Sequence, residues 1–199
     1  MSAGDIRYAV AMGRWEPDAR GRLSVAAMEL YSEHGFEQTT VAEIAERAGL
    51  AERTFYRHFA DKREVLFSGA AELQELLVST VAGAPSSAAP IEIIATAVGV
   101  AGGVISQRSD FAGHRQAVIA ANPELQEREL IKLATLASAM AEALRLRGVN
   151  DLSAALAAEV GVAAFKVGFE RWIKDPQSRD LRSDIHESLQ ELRAVTNGK

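Results

Sequence analysis

Cysteine is absent from the 199-residue sequence. That excludes a disulfide framework, a thiolate nucleophile and a cysteine-based zinc site, and it suits a reducing cytosol, so a cytoplasmic protein is expected. A basic excess is missing too, since 22 Lys and Arg stand against 27 Asp and Glu for a net charge of −5. This argues against charge-driven, nonspecific attraction to nucleic acid, and any such contact has to be local and geometrically arranged. The longest uncharged apolar stretch, IIATAVGVAGGVIS at 93–106, falls short of the roughly 20 residues a bilayer span needs. No basic start leads into an apolar run at the N-terminus, so neither a membrane partner nor export is expected. Also missing are a P-loop, a dinucleotide fingerprint, an HExxH motif and a nucleophile elbow, and the four histidines have no base and nucleophile pair among them. The expectation is a protein that is not an enzyme and has no cofactor and no metal.

Hydrophobic residues at 48% and charged residues at 25% are ordinary for a chain that folds into a globular core. The length allows one large core or two unequal ones. Strand patterning with a period of two is not found, nor is an internal repeat, and the chain reads as all-α. Pro17, Pro85, Pro90, Pro123 and Pro176 all fall between helical stretches.

Residues 1–15 read as a flexible N-terminal arm. From about Pro17 to Glu33, Leu23, Ala26, Ala27, Leu30 and Tyr31 recur at helix spacing, and Gly35 stops the helix. Thr40 opens a capping box with Glu43, and Val41, Ile44, Ala45 and Ala48 make one apolar stripe that ends at Gly49. In the next short helix Ala51, Phe55 and Phe59 share one side, while Arg53, Tyr56 and Arg57 lie opposite. Asp61 and Glu64 announce a fourth helix, expected to run on to about Val81. After the loop GAPSSAAP at 83–90, helical patterns cover about 90–107, 109–121, 123–147, 151–174 and 178–195.

A short helix, a glycine turn and a second short helix, braced by a preceding one, is the helix-turn-helix arrangement. Its second helix enters the DNA major groove. Phenylalanines hold that helix to its own domain and leave the opposite face free, with guanidinium groups suited to phosphates or guanine edges.

Residues 20–66, RGRLSVAAMELYSEHGFEQTTVAEIAERAGLAERTFYRHFADKREVL, resemble the DNA-binding domain of TetR-family transcriptional regulators. The glycine, Thr-Thr, Ala-Gly, Tyr-x-x-Phe and Asp-Lys features stand at the family's spacing. The resemblance implies a helix-turn-helix domain over 16–66 and a larger helical ligand-binding and dimerisation domain over 67–199. It implies a homodimer that binds palindromic double-stranded operator DNA, acts as a repressor, and is released by a small molecule; the apolar make-up of the second domain favours a hydrophobic effector. By position it assigns Thr40, Thr54, Tyr56, His58 and Lys62 to DNA contact, and Arg53 and Arg57 join them on the free face.

Two departures stand out. Ala51 replaces the usual Ser or Thr, removing a helix cap worth about 1 kcal/mol. Glu52 follows it, where a carboxylate favours the helix dipole, accepts from cytosine or repels phosphate. These departures and the acidic balance keep open an alternative, a helical interaction module of the same fold that has lost specific DNA binding.

In the second domain, His114 and Arg115 are polar groups in an apolar region, expected either to orient a ligand or to join a buried network with Glu127 or Glu129. Phe165 and Phe169 line up with Trp172 at helix spacing, as core or as part of a ligand cage. Ala154, Ala158, Gly161 and Gly168 form a small-residue stripe that would admit a partner helix closely, and with the last helix they are the expected dimer interface. Packing within one subunit is the alternative.

Overall fold

The computed structural model describes residues 19–177, 179–196 and 198. The expected arm at 1–15 lies outside them. Among the described residues every regular element is a helix, and the chain divides into two compact units between Ser68 and Gly69.

The first unit holds α1 (Ala19–His34), α2 (Val41–Arg47), α3 (Glu52–His58) and α4 (Lys62–Leu66). Helix α1 packs against the other three. Its inward face, Leu23, Ala26, Ala27, Leu30 and Tyr31, meets Ile44 and Ala45 from α2, Phe55 from α3 and Val65 and Leu66 from α4 in a common core. Gly35 at φ +84° and Gly49 at φ +66° make the turns, a left-handed conformation costly for any other L-residue. A Cβ on Gly49 would also stand 2.9 Å from the Arg22 guanidinium, which donates to the Ala48 carbonyl at the end of α2.

The second unit holds α5 (Ala70–Ala82), α6 (Pro90–Ser106), α7 (Ser109–Ala120), α8 (Pro123–Leu146), α9 (Asp151–Trp172) and α10 (Leu181–Thr196). Pro90 and Pro123 occupy first-turn positions, where a missing N–H costs nothing. The helix expected from Lys62 to Val81 is two helices, because Phe67, Ser68 and Gly69 form a turn between α4 and α5. Ser and Gly are weak helix formers, and this is where one core ends and the next begins.

Helix α9 is central, packed against α6, α8 and α10. By length and composition it is apolar enough to cross a bilayer. Its inward face is covered by its neighbours, and its exposed side mixes Glu159, Lys166 and Glu170 with Leu152, Leu156 and Val167. Ala154 and Ala158 are fully buried. A Cβ on Gly161 would lie 2.2 Å from Ile94 Cγ2, and one on Gly168 would lie 2.8 Å from the Ile185 nitrogen. The small-residue stripe expected at the dimer interface is thus spent inside the subunit, where it lets α6 and α10 approach α9.

Candidate nucleic-acid interface

Helix α3 carries the candidate surface. Phe55 is fully buried and Phe59 nearly so, their rings 5.4 Å apart, and they anchor one face of the helix. Burial of each such ring stabilises by about 1.5–3 kcal/mol, which fixes the helix in rotation as well as in place. Glu52, Arg53, Tyr56 and Arg57 are exposed as a result, and Thr54 is half-buried. Arg53 and Arg57 make no ion pair among the described residues, with Glu52 and Asp61 or with any other carboxylate. Tyr56 is 55% exposed, its ring set edge-on against Phe55 at 5.6 Å. Such an aromatic would ordinarily seek cover; here its hydroxyl makes no hydrogen bond among the described residues.

The N-terminus of α3 lacks a side-chain cap, as Ala51 requires. Helix α2 is fully capped. The Thr40 amide and hydroxyl both donate to the Glu43 carboxylate, at 2.7 and 2.8 Å, and the Glu43 amide donates back to the Thr40 hydroxyl at 3.3 Å. These bonds hold the Glu43 carboxyl below its usual range. For Thr40 to bond a phosphate, its hydroxyl has to turn from Glu43.

His58 and Lys62 are placed differently from the rest. His58 is half-buried, its ring beside Phe59, and its Nε2 is buried with no hydrogen-bond partner. The Lys62 ammonium donates to the carbonyls of Phe36, Glu37 and Thr39 at 2.8, 3.1 and 3.0 Å and sits 4.5 Å from the centre of the Phe36 ring. An ammonium has three protons, and all three have acceptors inside the domain.

Two further groups hold this unit together without a sequence motif to announce them. The Tyr31 hydroxyl donates to the Lys62 carbonyl at 2.6 Å, and burial, with Asp61 nearby, raises its pKa well above the usual phenol value. Arg47 bridges Glu33 at 2.8 Å and Glu29 at 3.4 Å, tying α2 to α1. Helical periodicity marks both residues only as faces, and the partner is visible only once the helices are assembled.

In the second unit the four effector candidates have different surroundings. His114 is exposed on α7. The Arg115 guanidinium forms a two-bond fork with Glu129 of α8, at 3.1 and 2.6 Å, which is the network reading of that residue. Phe165 and Phe169 stack at 6.0 Å and pack half-buried against the core beside Trp172. An open groove of about 230 Å³ between α8 and α9 is lined by Leu130, Leu133, Ala134, Glu159, Val162, Ala163 and Lys166, and includes none of the four.

Residues 23–68 match the tetR family of bacterial regulatory proteins, and residues 88–197, more than half of the chain, match the MftR C-terminal domain. The chain belongs to the TetR family. It is therefore a transcriptional regulator and not an enzyme. The transcriptional regulator TcmR of Streptomyces glaucescens is 35% identical over 78 residues, 39% of this chain and 34% of that protein. The chain thus spans about a third of the length of that relative. Among solved structures, SmeT bound to triclosan superposes with a TM-score of 0.64 at 20% identity, covering 90% of this chain and 91% of that one. The TetR-family repressor FadR of Thermus thermophilus, in complex with lauroyl-CoA, gives a TM-score of 0.52 at 26% identity, covering 90% and 94%.

Proposed function

We propose that this TetR-family regulator is a ligand-released repressor that binds a palindromic operator as a homodimer, in the cytoplasm. The observation that carries the DNA-binding part is the exposed, unpaired set Arg53, Tyr56 and Arg57 on a helix whose other face is locked by Phe55 and Phe59. Arg53 and Arg57 reach guanine edges or phosphates, the Tyr56 hydroxyl donates to a phosphate, and Thr54 and Thr40 add short contacts. His58, with Nε2 buried, and Lys62, with its donors in use, stand outside this set.

The homodimer is proposed to form through the outward faces of α9 and α10. Leu152, Leu156 and Val167 on α9 and Leu192 and Val195 on α10 are exposed apolar side chains. Two such faces from two copies suit a four-helix interface with apolar anchors at its centre.

The effector is proposed to be small and largely apolar, because the core of the second unit is built of aliphatic and aromatic residues. The likeness to a repressor solved with lauroyl-CoA makes fatty acyl thioesters the first compounds to try. The two recognition helices of a dimer must lie about 34 Å apart to enter successive major grooves. An effector that binds better to a dimer with another spacing lowers operator affinity by its differential affinity for the two states.

The test is fluorescence anisotropy of the purified protein with duplexes flanking its own gene and with duplexes selected from a random pool. Saturable binding that falls with salt, weakens in Tyr56→Phe and Arg57→Gln, and is reversed by an acyl thioester supports the DNA-binding and effector parts. Folded dimer with no binding to any duplex is the result that leaves an interaction module of the same fold.

A further inference from the structure

The position of Lys62 leads to a role distinct from DNA contact, one that rests on the DNA-binding reading above. We infer that Lys62 is a positioning residue for operator recognition: its ammonium fixes the segment that leads into α2, and it gives no bond to phosphate. The three carbonyls it binds, those of Phe36, Glu37 and Thr39, belong to the residues immediately before Thr40, the cap of α2. The same residue is tied at its backbone, where its carbonyl accepts from Tyr31 of α1. Asp61 caps the helix that Lys62 begins, accepting from the amides of Arg63 and Glu64 at 2.8 and 3.0 Å. One residue thus joins α1, the α1–α2 segment and α4, and sets where α2 starts. Helix α3 follows α2 directly through the short turn at Gly49, φ +66°, so where α2 starts bears on where α3 lies.

The acceptor geometry makes this role specific to lysine. Carbonyl oxygens converging on one ammonium suit a compact point donor that rotates freely. A guanidinium is a planar fork, larger and unable to aim its protons at three such oxygens together. Bonding a phosphate, in contrast, is something Arg does at least as well as Lys. The two roles therefore predict opposite outcomes for a charge-conserving substitution.

The experiment uses the full chain with Lys62→Met and Lys62→Arg, an operator duplex recovered by selection against the wild-type protein, and a scrambled duplex of equal length. Melting temperature and the active fraction from stoichiometric titration are measured first, so that affinity refers to folded protein. Positioning predicts that both variants lose tenfold or more in operator affinity, change less than twofold on the scrambled duplex at low salt, and keep the wild-type slope of log affinity against log salt. A phosphate contact predicts that Lys62→Met weakens both duplexes alike and lowers the slope by about 0.9 per subunit, with Lys62→Arg near wild type. That second pattern overturns the inference while leaving the DNA-binding reading intact. Unchanged operator affinity of the folded fraction in both variants overturns it too, reducing Lys62 to a stability role. A wild-type protein for which selection recovers no duplex removes the DNA-binding reading and this inference with it.

Discussion

Gly168 of α9 lies so close to Ile185 of α10 that a Cβ on it would stand 2.8 Å from the Ile185 nitrogen and 2.9 Å from its Cα. The obstacle is backbone, which cannot turn aside as a side chain can. Gly168→Ala is expected to destabilise the second unit by about 1–3 kcal/mol through overpacking. Gly161→Ala meets Cγ2 of Ile94 at 2.2 Å, a buried β-branched side chain with one favoured χ1 in a helix, and is expected to cost a similar amount. Thermal denaturation of the two variants checks both; equal stability of Gly168→Ala and wild type would show that α10 does not pack as described.

The Arg115–Glu129 fork joins α7 to α8 with both side chains partly exposed, at 20% and 26%. Solvent screening limits such a pair, so a double-mutant cycle of Arg115→Ala and Glu129→Ala should give a coupling of about 0.5–1 kcal/mol. A ligand-orienting Arg115 would instead show its effect on effector affinity, with little change in melting.

Helix capping offers a gain of stability. Ala51→Ser supplies the missing acceptor at the start of α3 and should raise stability by about 0.5–1 kcal/mol, read as a shift in urea midpoint at constant slope. Thr40→Ala removes a formed cap and should cost about 1 kcal/mol.

Acid should weaken the first unit. Glu33 is held below the usual carboxylate range first by its hydrogen bond from Arg47, and Glu43 by its bonds from Thr40. A lowered folded pKa means stability present above the unfolded value, near 4.5, and lost as pH falls through the folded one. Arg47→Met should make the acid limb of a stability–pH curve shallower, because Glu33 then loses the main interaction that lowers it. Tyr31 acts on the other side. Its raised pKa gives stability that is complete below about 10 and declines as pH rises beyond, and Tyr31→Phe should remove that alkaline dependence.

Sequence preference should divide between the two arginines and the tyrosine. Arg53→Gln, in the first turn of α3, is expected to relax preference at about one base pair per half-site at a cost of about 1–3 kcal/mol. Tyr56→Phe should lower affinity by a similar factor for all operator variants. Competition binding against a set of single-base operator variants separates the two patterns.

Helix type, and the place of every helix except the break after Leu66, were legible in the sequence, because apolar residues at helical spacing and the prolines and glycines between them are local signals. The bounds expected at 90–107, 123–147 and 151–174 lie within two residues of α6, α8 and α9. The free face of α3 was legible for the same reason, since Phe55 and Phe59 define the opposite one. The break at Phe67–Gly69 was missed because Asp61 and Glu64 signal only where a helix starts, and the apolar pattern runs on across the boundary between two cores.

What the sequence alone determined is therefore what depends on neighbours along the chain: the helices, the caps at Thr40 and Asp61, the turns at Gly35 and Gly49, and the motif that marks the family. Tertiary structure decided which partner each face and each charge would meet. A stripe of Ala154, Ala158, Gly161 and Gly168 permits close approach by any helix, and only packing settled that α6 and α10 of the same chain take the place. A lysine beside a helix start attracts any acceptor, and only the folded loop brings three carbonyls within 3.1 Å of Lys62. Spacing along a helix fixes direction, whereas the identity of a contact depends on residues far away in sequence that meet only when the core closes.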